Sequence, residues 1–133
     1  MSDELKEKSI IYDKSFQFSV RIVKLYKYLS NEKKEYILSK QLLRSGTSIG
    51  ANIHESISAQ SKKDFISKMS IANKEARETE YWIKLLIETD YLNFNEKYVK
   101  TLKNDIEELI KILTAIVKTS QINLKKEKKC LIT

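Results

Sequence analysis

The chain has 133 residues and a mass of 15.6 kDa, the size of a single domain. It contains no proline, two glycines, one cysteine and one histidine, and its net charge is +7. This composition excludes folds rich in tight turns and glycine-rich phosphate loops. It also excludes an intramolecular disulfide and metal sites that need several Cys or His ligands. We therefore predict no metal and no cofactor.

Apolar residues recur every three or four positions along four segments, which is the pattern of amphipathic helices. The first segment covers about residues 9–29 and the second about residues 32–59, with Asn31 predicted as the N-cap of the second. The middle of the second segment is made of small residues, including Gly46 and Gly50. Because small residues allow two helix backbones to approach, we predict that both glycines are close-packing positions and not turns.

The third segment opens with Ser61 as a predicted N-cap, and Asp64 follows three residues later in the manner of a capping box. The fourth covers about residues 95–120. Since short loops between long helices make neighbours antiparallel, the sequence predicts an all-α, up-down-up-down antiparallel four-helix bundle. We place this single domain at residues 1–121 and predict that residues 122–133 form a basic, flexible tail.

The apolar stripes are wider than one bundle core requires, and two interpretations remain open. One is an ordinary wide core face, and the other is a second face buried against another subunit. The additional apolar residues are Phe16, Val20, Val23, Ile37, Leu43, Ile66, Ile71, Leu85, Ile110, Ile112 and Val117.

Polar residues at helical spacing lie on the second and third segments, which are neighbours in the predicted bundle. They can form a structural network, because a guanidinium pairs well with carboxylates. The alternatives are a solvated surface with pairs one turn apart, or an active site. The predicted network consists of Arg44, Asn52, Glu55, Glu75, Arg77 and Glu78.

Enzyme sites built on this pattern are incomplete. A carboxylate–metal hydrolase could use Glu75 and Glu78, but Lys74 and Arg77 compete for the same acids. A di-iron site needs two histidines, whereas His54 is the only one in the chain. We predict that the protein is not an enzyme and keep the hydrolase as the weaker alternative.

Basic residues form a stripe on the first helix and clusters near two helix starts and in the tail. Such groups make salt-sensitive, sequence-independent contacts to phosphates, or they simply solubilise the surface. The candidates for nucleic-acid binding are Lys14, Arg21, Lys24, Lys33, Lys34, Lys62, Lys63, Lys125 and Lys126. The sequence contains neither a membrane-spanning apolar run nor a signal-peptide pattern, so we expect a cytoplasmic protein without a membrane partner.

Two stretches carry a resemblance to a known family: RSGTSIGANIHES at residues 44–56, and AQSKKDFISKMSIANKEARETEYWIKLL at residues 59–86. They resemble the bacterial 23S rRNA intervening sequence proteins. The resemblance implies a four-helix bundle that assembles as a ring-shaped homopentamer and has no enzymatic activity. The related accessory proteins of diversity-generating retroelements bind nucleic acid and a reverse transcriptase, so RNA, DNA and a reverse transcriptase are implied partners.

Three hypotheses for function follow. The first is a non-enzymatic oligomeric scaffold that associates with RNA or DNA through basic surface groups. The second is a protein–protein interaction bundle without nucleic-acid binding. The third is the carboxylate–metal hydrolase.

Overall fold

The computed structural model describes the backbone of residues 3–132 and the side chains of residues 8–131. Within that range the chain forms four α-helices and no β-strand. The helices are α1 (Asp3–Asn31), α2 (Leu38–Ser56), α3 (Lys62–Glu88) and α4 (Lys97–Ile132). Their connections are short, over residues 32–37, 57–61 and 89–96.

The helices form a closed ring of neighbours in chain order. α1 packs against α2, α2 against α3, α3 against α4, and α4 returns to α1. Over residues 3–132, neither diagonal pair of helices makes a close backbone contact. Because the short loops reverse the chain between consecutive helices, this arrangement is the all-α antiparallel four-helix bundle that the sequence predicts. The fold class is confirmed.

The core contains the apolar stripes of all four helices, as predicted for α1, α3 and α4. Full burial of such a side chain stabilises the fold by about 1.5–3 kcal/mol. On α2 the stripe ends one turn early, since Ile57 lies in the following loop and is exposed. The largest fully buried side chains are Phe18, Ile11, Ile22, Leu29, Leu42, Ile49, Ile53, Met69, Ile83, Leu86, Leu102 and Ile106.

Both glycines face α1, which confirms them as close-packing positions. A Cβ atom at Gly46 would lie 2.8 Å from Cγ2 of Ile22, a distance that real Cβ atoms do not tolerate. A Cβ atom at Gly50 would lie 2.9 Å from Oγ of Ser19 and 3.3 Å from the backbone oxygen of Ser15. The glycines therefore let α1 pack directly on the backbone of α2.

The start of α2 differs from the prediction. Asn31 is the last residue of α1 and not the cap of α2, which begins six residues later than expected. The capping group is the buried carboxylate of Glu35, which accepts backbone N–H bonds from Ile37 at 2.8 Å and from Leu38 at 2.9 Å. Lys34, at φ 56°, turns the chain just before it. The predicted start of α2 was wrong because Tyr36 and Ile37 continue the three-to-four-residue spacing of apolar residues through a loop.

The fourth helix also differs from the prediction, since α4 continues to Ile132 and does not stop near Ser120. The proposed domain boundary at residue 121 therefore falls inside a helix, and the basic segment 122–133 is helical as far as it is described. Its flexibility stays a prediction. With 36 residues against 27 in α3, α4 is longer by about 14 Å at 1.5 Å per residue.

Candidate functional site

An ion-pair cluster joins α2 to α3. Nη1 of Arg44 lies 3.3 Å from Oε2 of Glu75, and Nη2 donates to Oε2 of Glu78. The same Glu78 oxygen accepts from the indole Nε1 of Trp82 at 3.3 Å. One guanidinium therefore bridges two carboxylates one turn apart on the neighbouring helix, as the sequence analysis predicts for Arg44.

The stabilisation from this cluster is small, because the Arg44 side chain is 50% exposed. Pairs at such exposure typically contribute less than about 1 kcal/mol. Close by, the Thr79 hydroxyl donates to the Ser45 hydroxyl at 2.9 Å, and both residues are fully buried. This buried hydrogen bond is a second polar contact between α2 and α3.

Three predicted members of the network do not contact Arg44, although one of them, Glu55, also joins α2 to α3. Asn52 donates to the Ser48 carbonyl of its own helix at 2.8 Å, and Glu55 pairs with Lys68 at 3.1 Å. Arg77 is turned towards α4, where it donates to Oγ1 of Thr114 at 3.4 Å. Since Arg77 is only one residue before Glu78, it lies about 100° around the helix from it. Among the side chains of residues 8–131, the guanidinium of Arg44 therefore pairs with Glu75 and Glu78 alone.

The described residues offer no set of metal ligands for the hydrolase alternative. Among the side chains of residues 8–131, no group of three or more His, Cys, Asp and Glu lies close enough to hold a metal ion. Glu75 and Glu78 already bind the guanidinium of Arg44. His54 lies away from these acids on the other side of α2, with Nδ1 3.1 Å from the hydroxyl of Tyr12.

Arg21 is one of three predicted nucleic-acid-binding cations that are engaged within the bundle. Its Nη1 lies 2.7 Å from Oδ2 of Asp105, and Nη2 donates to the Tyr98 carbonyl at 2.8 Å and to Oγ1 of Thr101 at 2.9 Å. These contacts tie α1 to the first turns of α4. Arg21 therefore acts as an interhelical clamp and has few donors left for a phosphate.

Two further candidates form intramolecular ion pairs. Lys14 lies 2.9 Å from Glu108, and Lys62 pairs with Glu127. Within residues 8–131 the other six are exposed and form no ion pair. They divide between the ends of the bundle. Lys24, Lys33 and Lys34 lie at the end that carries loops 32–37 and 89–96, which we call the two-loop end. Lys63, Lys125 and Lys126 lie at the opposite end.

An exposed apolar depression of about 440 Å³, the α1–α2 groove, runs between these helices. Phe16 and Tyr12 form one wall, with Phe16 60% exposed. Ala51 and His54 form the other wall, and Gly50 contributes to the floor.

The additional apolar residues, for which two interpretations remained open, divide into two groups. Leu43, Ile110, Ile112 and Val117 pack against the core, whereas Phe16, Val23, Ile37 and Ile71 are exposed.

A second depression, of about 360 Å³, lies between α1 and α4 at the two-loop end. Tyr28 and Tyr98 line it, with Leu25 and Leu102 as its floor, and we call it the tyrosine slot. Burial raises the pKa of the Tyr98 hydroxyl above its ordinary 10.0, and the charge of Glu96 and the nearby Tyr28 add to the shift. Tyr28 and Tyr98 are not among the predicted site residues, because they belong to helices at opposite ends of the chain and only the fold brings them together.

The described part of the chain contains no helix that is both long and apolar enough to cross a lipid bilayer.

The fold and these surfaces define an antiparallel four-helix bundle with an apolar groove and basic ends. Within that class, the 23S rRNA-intervening sequence protein family matches residues 7–115, and the chain belongs to it. It is similar to a crystal structure from Bacteroides thetaiotaomicron, described as a protein with unknown function from the S23 ribosomal protein family. The identity is 54% and the TM-score 0.79, over 84% of this chain and 98% of that one. No curated protein matches the chain.

Proposed function

We propose that this protein is a non-enzymatic, oligomeric helical scaffold of the cytoplasm that associates with nucleic acid. One observation carries the proposal: a small bundle combines an exposed apolar groove with six exposed lysines that form no ion pair within residues 8–131. An apolar groove is suited to protein contact, and lysines without acidic partners are suited to phosphates.

The α1–α2 groove supports self-assembly. Phe16, Tyr12 and Val23 are all more than a third exposed on the outer side of α1. Because these side chains are already partly buried, covering one at an interface gains less than the about 1.5–3 kcal/mol of a fully exposed side chain. The family resemblance supports a homopentamer, and a closed ring is one way to cover an apolar face on every subunit.

Light scattering after size-exclusion chromatography tests the assembly. The wild type is expected at about five times the 15.6 kDa of one chain. Phe16→Asp places a charge in the groove and is expected to release folded monomers, whereas Tyr36→Asp, at a similarly exposed aromatic residue outside the groove, keeps the wild-type mass. A wild type that stays monomeric at high concentration contradicts the assembly.

The six unpaired lysines support nucleic-acid binding. Fluorescence anisotropy with a labelled RNA or DNA is expected to show an affinity that falls as salt rises from about 50 to 200 mM. Each lysine that neutralises a single-strand phosphate contributes about 0.7 to the slope of log K against log salt. The double variant Lys33→Gln/Lys34→Gln therefore lowers the slope by up to about 1.4, and Lys14→Gln, which removes an already paired cation, changes it little.

Absence of binding, or an affinity that does not depend on salt, contradicts the nucleic-acid proposal. The interaction bundle without nucleic acid then becomes the better hypothesis. It is favoured by the pairing of Lys14, Arg21 and Lys62 with acids of the same chain. A pull-down treated with nuclease separates the two, because a protein partner such as a reverse transcriptase, which the family resemblance suggests, is retained after the nucleic acid has been removed.

A further inference from the structure

The tyrosine slot is open between two aromatic rings. Tyr28 on α1 and Tyr98 on α4 are 38% and 39% exposed, and neither ring packs against another aromatic ring within residues 8–131. The floor beneath them is apolar, since Leu25 and Leu102 are buried in the core. An open space with aromatic walls and an aliphatic floor fits a flat, unstacked ring.

The slot lies in the most basic part of the two-loop end. Residues 24–34 and 94–100 together contain six lysines and two glutamates. Lys24 lines the slot itself, and Lys33 and Lys34 follow the end of α1. This charge favours a ligand that carries phosphates beside its flat ring, which is the chemistry of a nucleotide strand.

Arg21 positions one wall of the slot and does not supply charge to it. Its guanidinium donates to the Tyr98 carbonyl and pairs with Asp105, so it holds the start of α4 against α1. The backbone of Tyr98 is therefore held against α1 before any ligand arrives, so less of the chain has to be ordered when a ligand binds.

Of the described residues that line the slot, Glu96 is the one with an acidic side chain. A carboxylate there repels a phosphate, but it accepts a hydrogen bond from a ribose 2′-hydroxyl, the group that distinguishes RNA from DNA. Bases in a duplex are stacked on their neighbours and cannot enter a slot of about 360 Å³. The geometry therefore favours an unpaired base carried by RNA.

We propose that the tyrosine slot binds an unpaired base of single-stranded RNA between Tyr28 and Tyr98, with Lys24, Lys33 and Lys34 on the adjacent phosphates. This inference rests on the proposed function above, because it names the nucleic acid and the place where it binds. Base–aromatic stacking tolerates every base, so the site recognises single-strandedness and not a sequence.

The experiment measures anisotropy of a labelled, unstructured RNA of about 20 nucleotides with the full chain. Tyr28→Ala is expected to weaken binding about 5- to 150-fold, the effect of losing one stacked base, and Tyr28→Phe to keep it. Tyr81→Ala is the matched control, because Tyr81 is an exposed tyrosine on α3 outside the slot. Circular dichroism melts confirm that each variant is folded.

A second readout is photo-crosslinking with 4-thiouridine RNA, which is expected to label the peptide of Tyr28 or Tyr98. Wild-type binding that weakens equally in Tyr28→Ala and Tyr81→Ala overturns the slot and leaves the nucleic-acid function standing. So does equal affinity for a duplex of the same length. Equal affinity for the matching DNA overturns the assignment to RNA. Displacement of the RNA from the slot by an acidic, tyrosine-containing peptide of equal affinity assigns the slot to a protein partner. No binding to any of these nucleic acids overturns both proposals.

Discussion

Gly46→Ala tests how tightly α1 and α2 are packed. The added methyl group would lie 2.8 Å from Cγ2 and 2.9 Å from Cγ1 of Ile22, a fully buried side chain in the core. Because Ile22 is enclosed, the two helices must separate slightly or Ile22 must leave its preferred rotamer. We therefore expect the free energy of unfolding to fall.

Two opposing effects set the magnitude. Replacing glycine by alanine inside a helix normally stabilises it by about 1 kcal/mol, whereas overpacking a core costs about 1–3 kcal/mol. The expected net loss for Gly46→Ala is therefore about 0–2 kcal/mol. Gly50→Ala is expected to be milder, since its nearest neighbour is the Ser19 hydroxyl, which can rotate away at the loss of its hydrogen bond to the Ser15 carbonyl, and that carbonyl oxygen is less crowded at 3.3 Å.

Urea unfolding, followed by circular dichroism at one fixed protein concentration, measures these changes. The sharpest control is the pair Gly46→Ala with Ile22→Ala, because truncating Ile22 removes all three atoms that crowd the new methyl group. Ile22→Ala alone costs about 2–5 kcal/mol, and the double variant should lose clearly less than the sum of the single variants. Additive losses, or a stabilising Gly46→Ala, would refute the close-packing argument.

Two other predictions concern single side chains. Glu35→Ala removes the carboxylate that caps α2 and should lower the free energy of unfolding by about 0.5–2 kcal/mol, while the exposed neighbour Glu32→Ala changes it little; urea unfolding measures both. Because the pKa of Tyr98 is raised above 10.0 in the folded protein, the unfolded chain loses this proton first. Stability present below pH 10 is therefore lost as pH rises through the folded pKa, and Tyr98→Phe should lessen that loss in melts run up to about pH 11. An unchanged alkaline loss in Tyr98→Phe would show that other groups cause it.

The helices could be predicted from the sequence wherever the regularly spaced apolar residues are the ones buried in the core. The stripe of α3 and the Ser61 cap, whose side chain accepts from the Asp64 N–H at 3.0 Å, are both as expected. It failed at the start of α2, because exposed Tyr36 and Ile37 imitate the helical period in a loop that has no glycine or proline to mark it. It also missed the end of α4, where lysine and glutamate favour a helix without producing an apolar stripe.

The candidate site was less predictable, since spacing along one helix does not reveal the partner on the next. Arg44 reached the two carboxylates expected of it, but Arg77, one residue from Glu78, faces α4. Likewise, Lys14 and Arg21 belong to a basic stripe in the sequence but meet Glu108 and Asp105 across the bundle. The tyrosine slot combines residues 70 positions apart, which only the closing of the helix ring brings together.

The order of the helices has a consequence for folding. Three of the four helix contacts join neighbours along the chain, and only the α1–α4 contact, with Arg21 and Asp105 separated by 84 residues, spans the sequence. Contacts between neighbours close short loops and form fast, whereas a distant contact carries the larger loop-closure entropy. We therefore expect the α1–α4 seam to form last and open first. In that case, changes at Arg21 act mainly on the unfolding rate. Transient opening of the α1–α4 seam also separates the helices that carry Tyr28 and Tyr98, the two tyrosines of the slot.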